Sequence, residues 1–353
     1  MLTSQEKTFV EAICEAHHIA MAKDPKTLCF GLGVDDPKRI FGSTQKLQET
    51  FGPERVFDMP TSENAMTGVA IGAAIRGFRP IMVHQRFDFF LLAMDQLVNN
   101  AAKWRFMFGG QDSVPLTIRL IVGRGWGQGP THSQSYHSWF THIPGLKVVM
   151  PSTPKDAKNL LLASIFDDNP VLFIEHRWLH QQTGVLDSGT EIEALGKSKV
   201  LKKGDDITIV GLSLMSIEAL RAANILKQND VSAEVVDLRT IKPMDLDPVY
   251  ESVIKTGHLL VLDIGPEVCS VASEIIAKVT EKCFKYLKSP PRKIALPDMP
   301  VPTSFGLTKG FYPTSDDIVS ISQKMLGKNF YWNRTDQAND LHDVPGEWFK
   351  GPF

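Results

Sequence analysis

Glu63 stands in the run PTSENAM, directly after a β-rich stretch and in the first turn of a helix built from small residues. A carboxylate there can hold or exchange a proton during catalysis. It is also what the dipole favours at the start of a helix, so the residues alone support either role. His132, in GPTHSQ, could move protons near neutral pH, or could serve as a hydrogen-bonded loop residue. His132, His137 and His142 recur every five residues, which suits neither one helix face nor one strand face, so a metal cluster is not expected. Ahead of them the turn GRGWGQG, Gly123 to Gly129, misses the GxGxxG spacing, with Gln128 where a glycine would be required. It reads as a flexible loop at the carboxyl end of a strand, where α/β sheets place ligands. No GxxxxGK[ST], HExxH or GxSxG signature occurs.

Strands alternating with helices must position these residues. The segment from Ser4 to about Met21 reads as a helix, with Phe9, Ile13 and Ile19 on a helical period and Ser4 as its cap. LCFGLG and RVFDMP read as strands, and NAMTGVAIGAAIRG as a helix ending on Gly77. Gly68, Gly72, Ala73 and Ala74 would let another backbone come close to that helix. RPIMVHQ is a strand and DFFLLAMDQLVNNAAKWRFMF one long helix. PLTIRLIVG, LKVVMP and PVLFIEH complete the strands, with a helix from Pro154 to Phe166. The alternation predicts an α/β fold with a parallel, doubly wound sheet. The period fails between about Thr183 and Asp206, and a smaller α/β region restarts at DITIVGLS. The expected division is a first domain over residues 1–185, a linker over 186–206, a second domain over 207–328 and a tail over 329–353. Trp332, Trp348, Phe349 and Phe353 in that tail predict packing against this chain or a partner.

Bulk properties narrow the function classes. The 353 residues suffice for two domains, and 38 basic against 40 acidic residues leave no electrostatic basis for capturing nucleic acid or an anionic membrane. No apolar run approaches the roughly 18 residues of a spanning helix, and the opening MLTSQEKTFVEAICEAHH does not read as a secretory signal. Cys14, Cys29, Cys269 and Cys283 are scattered without a CxxC pair. A cytoplasmic, reducing compartment is expected.

Longer runs carry a resemblance. DMPTSENAMTGVAIGAAIRGFRPIMVHQRFDFFLLAMDQLVNNAAK and GPTHSQSYHSWFTHIPGLKVVMPSTPKDAKNLLLASIFDDNPVLFIEH resemble the beta subunits of pyruvate and branched-chain 2-oxoacid dehydrogenases, first component. The likeness continues through VVDLRTIKPMD and TGHLLVLDIGPEV to about residue 325. It implies a transketolase-like pyrimidine-binding domain followed by a transketolase C-terminal-like domain. It further implies a thiamine diphosphate site shared with an alpha-like chain, which would hold the diphosphate and Mg2+ through a GDG motif. This chain has no GDG. Within the resemblance, Glu63 matches the glutamate that hydrogen-bonds the aminopyrimidine ring nitrogen, and Phe89 the aromatic packed on that ring. His132 matches the histidine assigned to substrate protons or acyl transfer to lipoamide. Asp167 and Asn169 match a structural potassium site, although Asx residues also favour turns on their own account. An α2β2 tetramer, beta–beta contacts through the last domain and docking to a lipoyl acyltransferase core are likewise implied.

Two departures stand against that pattern. Arg86 lies where relatives carry a small or apolar residue. A surface ion pair is the plainer reading, while an arginine turned inward near the cofactor would suit a phosphorylated or acidic substrate. The aromatic tail is longer than usual and puts acyltransferase docking in question. Three functions therefore compete: a 2-oxoacid dehydrogenase beta subunit, a split transketolase-like or acyloin-forming enzyme of sugar or secondary biosynthesis, and a non-catalytic scaffold subunit. Glu63, Phe89 and His132 together argue against the last.

Overall fold

A computed structural model describes residues 5–125, 127–186 and 192–334. The chain divides into two units, one of residues up to 123 with 131–195, the other of 124–130 with residues from 196 onward.

In the first unit the strands are β1 (Gln5–Thr8), β2 (Thr27–Gly31), β3 (Val56–Asp58), β4 (Arg79–His84), β5 (Thr117–Val122), β6 (Lys147–Val149), β7 (Val171–His176) and β8 (Thr183–Leu186). Six of them form a parallel array in the order β6-β7-β5-β4-β2-β3. β5 and β7 are buried along their whole length, as expected for strands covered on both faces. Among their polar residues, Arg119 and Glu175 form an ion pair at 2.5 Å with both side chains fully buried. β2 approaches β4 so closely that a Cβ on Gly31 would lie 2.1 Å from the Val83 carbonyl oxygen, so only glycine fits there.

The first-unit helices are α1 (Phe9–Lys23), α2 (Leu47–Phe51), α3 (Glu63–Ile75), α4 (Phe87–Phe90), α5 (Ala102–Met107), α6 (His137–His142) and α7 (Pro154–Ile165). The opening segment departs from the sequence expectation. Gln5–Thr8 is a strand paired antiparallel with β8, and the helix begins only at Phe9. Its cap is Thr8, in a reciprocal capping box with Glu11; Ser4 lies outside the described residues. Phe9, Ile13, Ala16 and Ala20 give α1 its buried stripe. The long helix expected from Asp88 to Phe108 is broken into α4, a 3-10 turn at Leu91–Ala93, a π-helical stretch at Gln96–Ala101, and α5.

The second unit contains β9 (Lys199–Lys202), β10 (Ile207–Gly211), β11 (Ala233–Asp237), β12 (Thr240–Lys242), β13 (Leu259–Pro266) and β14 (Arg292–Leu296). Its sheet runs β14-β13-β10-β11-β9, parallel except for β9, a short edge strand lying inside the segment read as linker. The helices are α8 (Leu214–Lys227), α9 (Asp247–Thr256), α10 (Val271–Cys283) and α11 (Ser315–Leu326). The start of the aromatic tail packs on α11. The Trp332 indole donates to Asp316 at 2.7 Å, and Gln323 donates to the Phe330 carbonyl at 2.6 Å. Trp348, Phe349 and Phe353 lie outside the described residues.

Candidate active site

Parallel strands that all point one way gather their following loops at one edge of the sheet. Glu63 follows β3, Phe89 follows β4 and His132 follows β5, so all three stand on the carboxyl edge of the first unit's sheet.

Glu63 is the first residue of α3, and its side chain is buried at 5 % exposure. Its carbonyl takes the Thr67 hydroxyl at 2.7 Å, but its carboxylate has no hydrogen-bond or ion-pair partner among the described residues. It makes no capping bond, and its oxygens are not among the sealed-off polar atoms, so a carboxylate favoured by the helix dipole and a carboxylate kept for a ligand both fit this placement. Asp58 at the end of β3, where the turn to Glu63 begins, is tied to the loop after β2. Its carboxylate accepts from the backbone N–H groups of Gly33, Val34 and Asp35 at 3.1, 2.6 and 3.3 Å.

Phe89, on α4, meets the exposed His132 ring edge to face, with centroids 5.4 Å apart and planes at 86°. The intervening tie is Asp88. Its Oδ1 accepts the Gln134 side-chain amide at 2.6 Å and, weakly, the Gln134 backbone N–H at 3.4 Å. Burial pushes the Asp88 carboxyl above the usual aspartate range, against the pull of those bonds. His132 Nδ1 lies 3.0 Å from the Thr131 hydroxyl. Asp88 and Gln134 stood inside the motif runs, but nothing in their local pattern marked them as a clamp.

Other expected residues go elsewhere. Arg86 is not a surface ion pair: it is 8 % exposed, and its guanidinium lies 5.3 Å from the Phe41 ring centroid. Asp167 and Asn169 precede β7 and so lie at the opposite, amino edge of the sheet. Their oxygens are already engaged. Asp167 pairs with Lys147 and accepts from Asn169, Asn169 Oδ1 accepts from Arg105, and the carbonyls of Ile165 and Asp167 accept from Arg79. With three cationic side chains on these oxygens, the loop does not fit a potassium ion. The glycine-rich turn is also no flexible loop over the site. Arg124 is fully buried and donates to the carbonyls of Pro302 and Thr303 at 2.7 and 2.8 Å, all within the second unit. A Cβ on Gly129 would lie 2.0 Å from the Thr303 hydroxyl, so close approach explains that glycine.

The arrangement suits a flat, nitrogen-bearing ring: an unpartnered buried carboxyl for a ring nitrogen, an aromatic face and a histidine beside it. Among the described residues no group of three or more His, Cys, Asp or Glu could hold a metal. No described helix is long and apolar enough to cross a membrane.

Comparison with known proteins gives the family. Residues 5–182 match the transketolase pyrimidine-binding domain and residues 196–318 the transketolase C-terminal domain. The pyruvate dehydrogenase E1 component subunit beta of Rickettsia bellii is 40 % identical over 318 residues, covering 90 % of this chain and 98 % of its own. The acetoin:2,6-dichlorophenolindophenol oxidoreductase subunit beta of Bacillus subtilis is 39 % identical over 330 residues, 90 % of this chain and 96 % of its own. A solved structure of a split-gene transketolase, an inactive beta4 tetramer, shares the fold at a TM-score of 0.70 and 22 % identity, over 90 % of this chain and 98 % of that one. The chain belongs to the transketolase-like family of the pyruvate dehydrogenase E1 beta subunits, joining a pyrimidine-binding domain to a transketolase C-terminal domain.

Proposed function

We propose that this chain is the beta subunit of a thiamine-diphosphate-dependent enzyme that decarboxylates a 2-oxo acid and transfers the acyl group, with an alpha-like chain completing the active site. The observation carrying this reading is Glu63, 5 % exposed and with no partner for its carboxylate among the described residues, on the same sheet edge as the Phe89–His132 pair. When bound, thiamine diphosphate supplies the nucleophilic carbon and the electron sink for decarboxylation. Glu63 holds a proton at the aminopyrimidine ring nitrogen, which the helix start of α3 leaves free for it to do. Phe89 packs on the ring and fixes its plane. His132 exchanges a proton with the substrate oxygen or the acyl acceptor, steadied by the Asp88–Gln134 tie. The alpha-like chain provides the diphosphate and Mg2+ ligands. The expected assembly is a cytoplasmic α2β2 tetramer with beta–beta contacts through the C-terminal domain and a lipoyl acyltransferase core as acceptor. The second reading is an acyloin-forming or split transketolase-like enzyme without lipoamide, and the acetoin-enzyme relative supports the acyloin part of it.

The test is co-purification with the alpha-like chain and titration of thiamine diphosphate with magnesium into the pair and into each chain. Saturable binding by the pair, and turnover lost in Glu63→Gln at unchanged melting temperature, is expected. Undiminished turnover in Glu63→Gln would refute the assignment, and turnover with and without lipoamide separates the two readings.

A further inference from the structure

The second unit presents an apolar surface that takes no part in the chemistry above. On α9, Ile254 stands one turn beyond Tyr250, so the two share a helix face. The Tyr250 carbonyl meets Cys283 Sγ at 4.0 Å, which brings the 3-10 turn Phe284–Tyr286 against the same helix. Phe284 is 73 % exposed, Ile254 45 % and Tyr286 37 %. Large apolar side chains gathered in water mark a surface that another segment covers.

That surface is also basic. Lys282 Nζ lies 4.1 Å from the centroid of the Tyr250 ring, and Lys285 Nζ 5.0 Å from that of Tyr286. The Lys288 stem lies against Gly257, and its ammonium donates to the Thr256 carbonyl at 3.0 Å. Among the described residues no carboxylate pairs with Lys285 or Lys288. Lys282 has only a long pair with Asp247, 3.8 Å between two exposed groups. Residues 278–293 carry six positive side chains against one negative, Glu281.

One segment of this sequence has the complementary chemistry. Residues 335–353, outside the described ones, hold Asp336, Asp340, Asp343 and Glu347 against the single base Lys350. Trp348, Phe349 and Phe353 stand among them. The point from which this segment starts is fixed, because Trp332 is bonded to Asp316 of α11, and α11 packs on α8. α8 leads from β10 to β11, whereas α9 and α10 lead the other way across the sheet, to β13 and β14. Right-handed crossovers therefore put α8 on one face and α9 with α10 on the other. The 19 residues from 335 to 353 can extend about 60 Å. A sheet with a helix on each face is roughly 30 Å thick, so the segment is long enough to pass around its own unit.

We propose that residues 335–353 dock on the surface formed by α9, α10 and the Phe284–Tyr286 turn of their own chain. The acids meet Lys282, Lys285 and Lys288, and the aromatic rings cover Phe284 and Ile254. Docking removes apolar area from water on both sides and places four carboxylates in a field of opposite sign. The assignment stands apart from the thiamine chemistry proposed above.

The test is zero-length carbodiimide cross-linking of the full chain, alone and with the alpha-like chain, in a mixture of light- and heavy-isotope copies. Mass spectrometry should find Asp336, Asp340, Asp343 or Glu347 joined to Lys282, Lys285 or Lys288 within one label. Salt at about 1 M, which screens charges beyond roughly 3 Å, should weaken those links severalfold. Chymotrypsin should cut after Trp348 and Phe349 about tenfold faster in Lys282→Glu/Lys285→Glu, the change that ~1.4 kcal/mol of lost docking produces. Adding Asp343→Lys/Glu347→Lys should restore slow cleavage. Should the lysine variant not fold, wild-type cross-linking decides alone. Links between different labels would make the occupant a second copy, and links from acids of the alpha-like chain would make it that partner. Either result overturns the proposal, as do tail acids that never reach these lysines or cleavage indifferent to the charge reversals.

Discussion

Asp88 offers the sharpest test of how the site is held together. In Asp88→Ala the Gln134 amide loses a 2.6 Å acceptor, and the weak backbone contact at 3.4 Å goes with it. A hydrogen bond to a charged group contributes about 1.5–3 kcal/mol, and partial exposure of Asp88 argues for the lower half, so about 2 kcal/mol is at stake. For a unit of this size that is roughly 4–8 °C in melting temperature. If the tie serves to hold His132 against Phe89, up to about 30-fold in kcat follows from the same energy. Asp88→Asn keeps an acceptor for Gln134 and removes a carboxyl whose Oδ2 is buried without a partner, so it should recover most of both. The pH dependence has a definite sign. Because burial raises the folded carboxyl, its stabilising contribution is fully present below the ordinary aspartate value and is lost as pH rises through the raised one. The stability of wild type relative to Asp88→Asn should therefore fall as pH climbs out of the acid range. Thermal unfolding across pH, paired with steady-state turnover of the assembled enzyme, measures both effects. An Asp88→Ala protein with unchanged melting temperature and kcat, or an Asn variant as impaired as Ala, would refute the clamp.

Arg124→Ala should destabilise the second unit by about 3 kcal/mol, since the Pro302 and Thr303 carbonyls lose their buried guanidinium donor. Urea unfolding measures this, and faster proteolytic cleavage near residues 302–303 should accompany it; an unchanged midpoint would count against the anchor. Replacing potassium by sodium or tetramethylammonium should leave turnover and melting temperature unaltered, because Arg79, Arg105 and Lys147 already occupy the oxygens around Asp167 and Asn169. A loss of activity on removing potassium would show that the ion displaces them.

What the sequence made legible was local. Buried strands such as TIRLIV and VLFIEH declare themselves by their predominantly apolar, β-branched character, whereas the place of Glu63 between strand and helix pointed as much to a helix start as to catalysis until the longer motif was read. The misses depended on partners distant in the chain. Gln5–Thr8 has a polar, non-alternating sequence and is a strand because Thr183–Leu186 pairs with it. Arg86 looks like a surface charge until Phe41 is brought onto it by a loop after β2. Gly129 looks like a flexible position until Thr303 is found against it. The helical period after Phe87 was readable, but apolar spacing does not distinguish the α, 3-10 and π hydrogen bonding that breaks this stretch.

The pairing of β1 with β8 bears on how the polypeptide matures during synthesis. Its register joins Gln5 to Leu186 and Thr8 to Thr183. β1 therefore waits for nearly the whole first unit to follow it from the ribosome, on the order of ten seconds or more at about 5–20 residues per second. Until then an unpaired edge is open to other nascent chains, and the long loop that must close places this contact among the slower steps of folding. A translational pause once Leu186 has emerged should raise the soluble yield, whereas slowing the stretch between β1 and β8 should lower it.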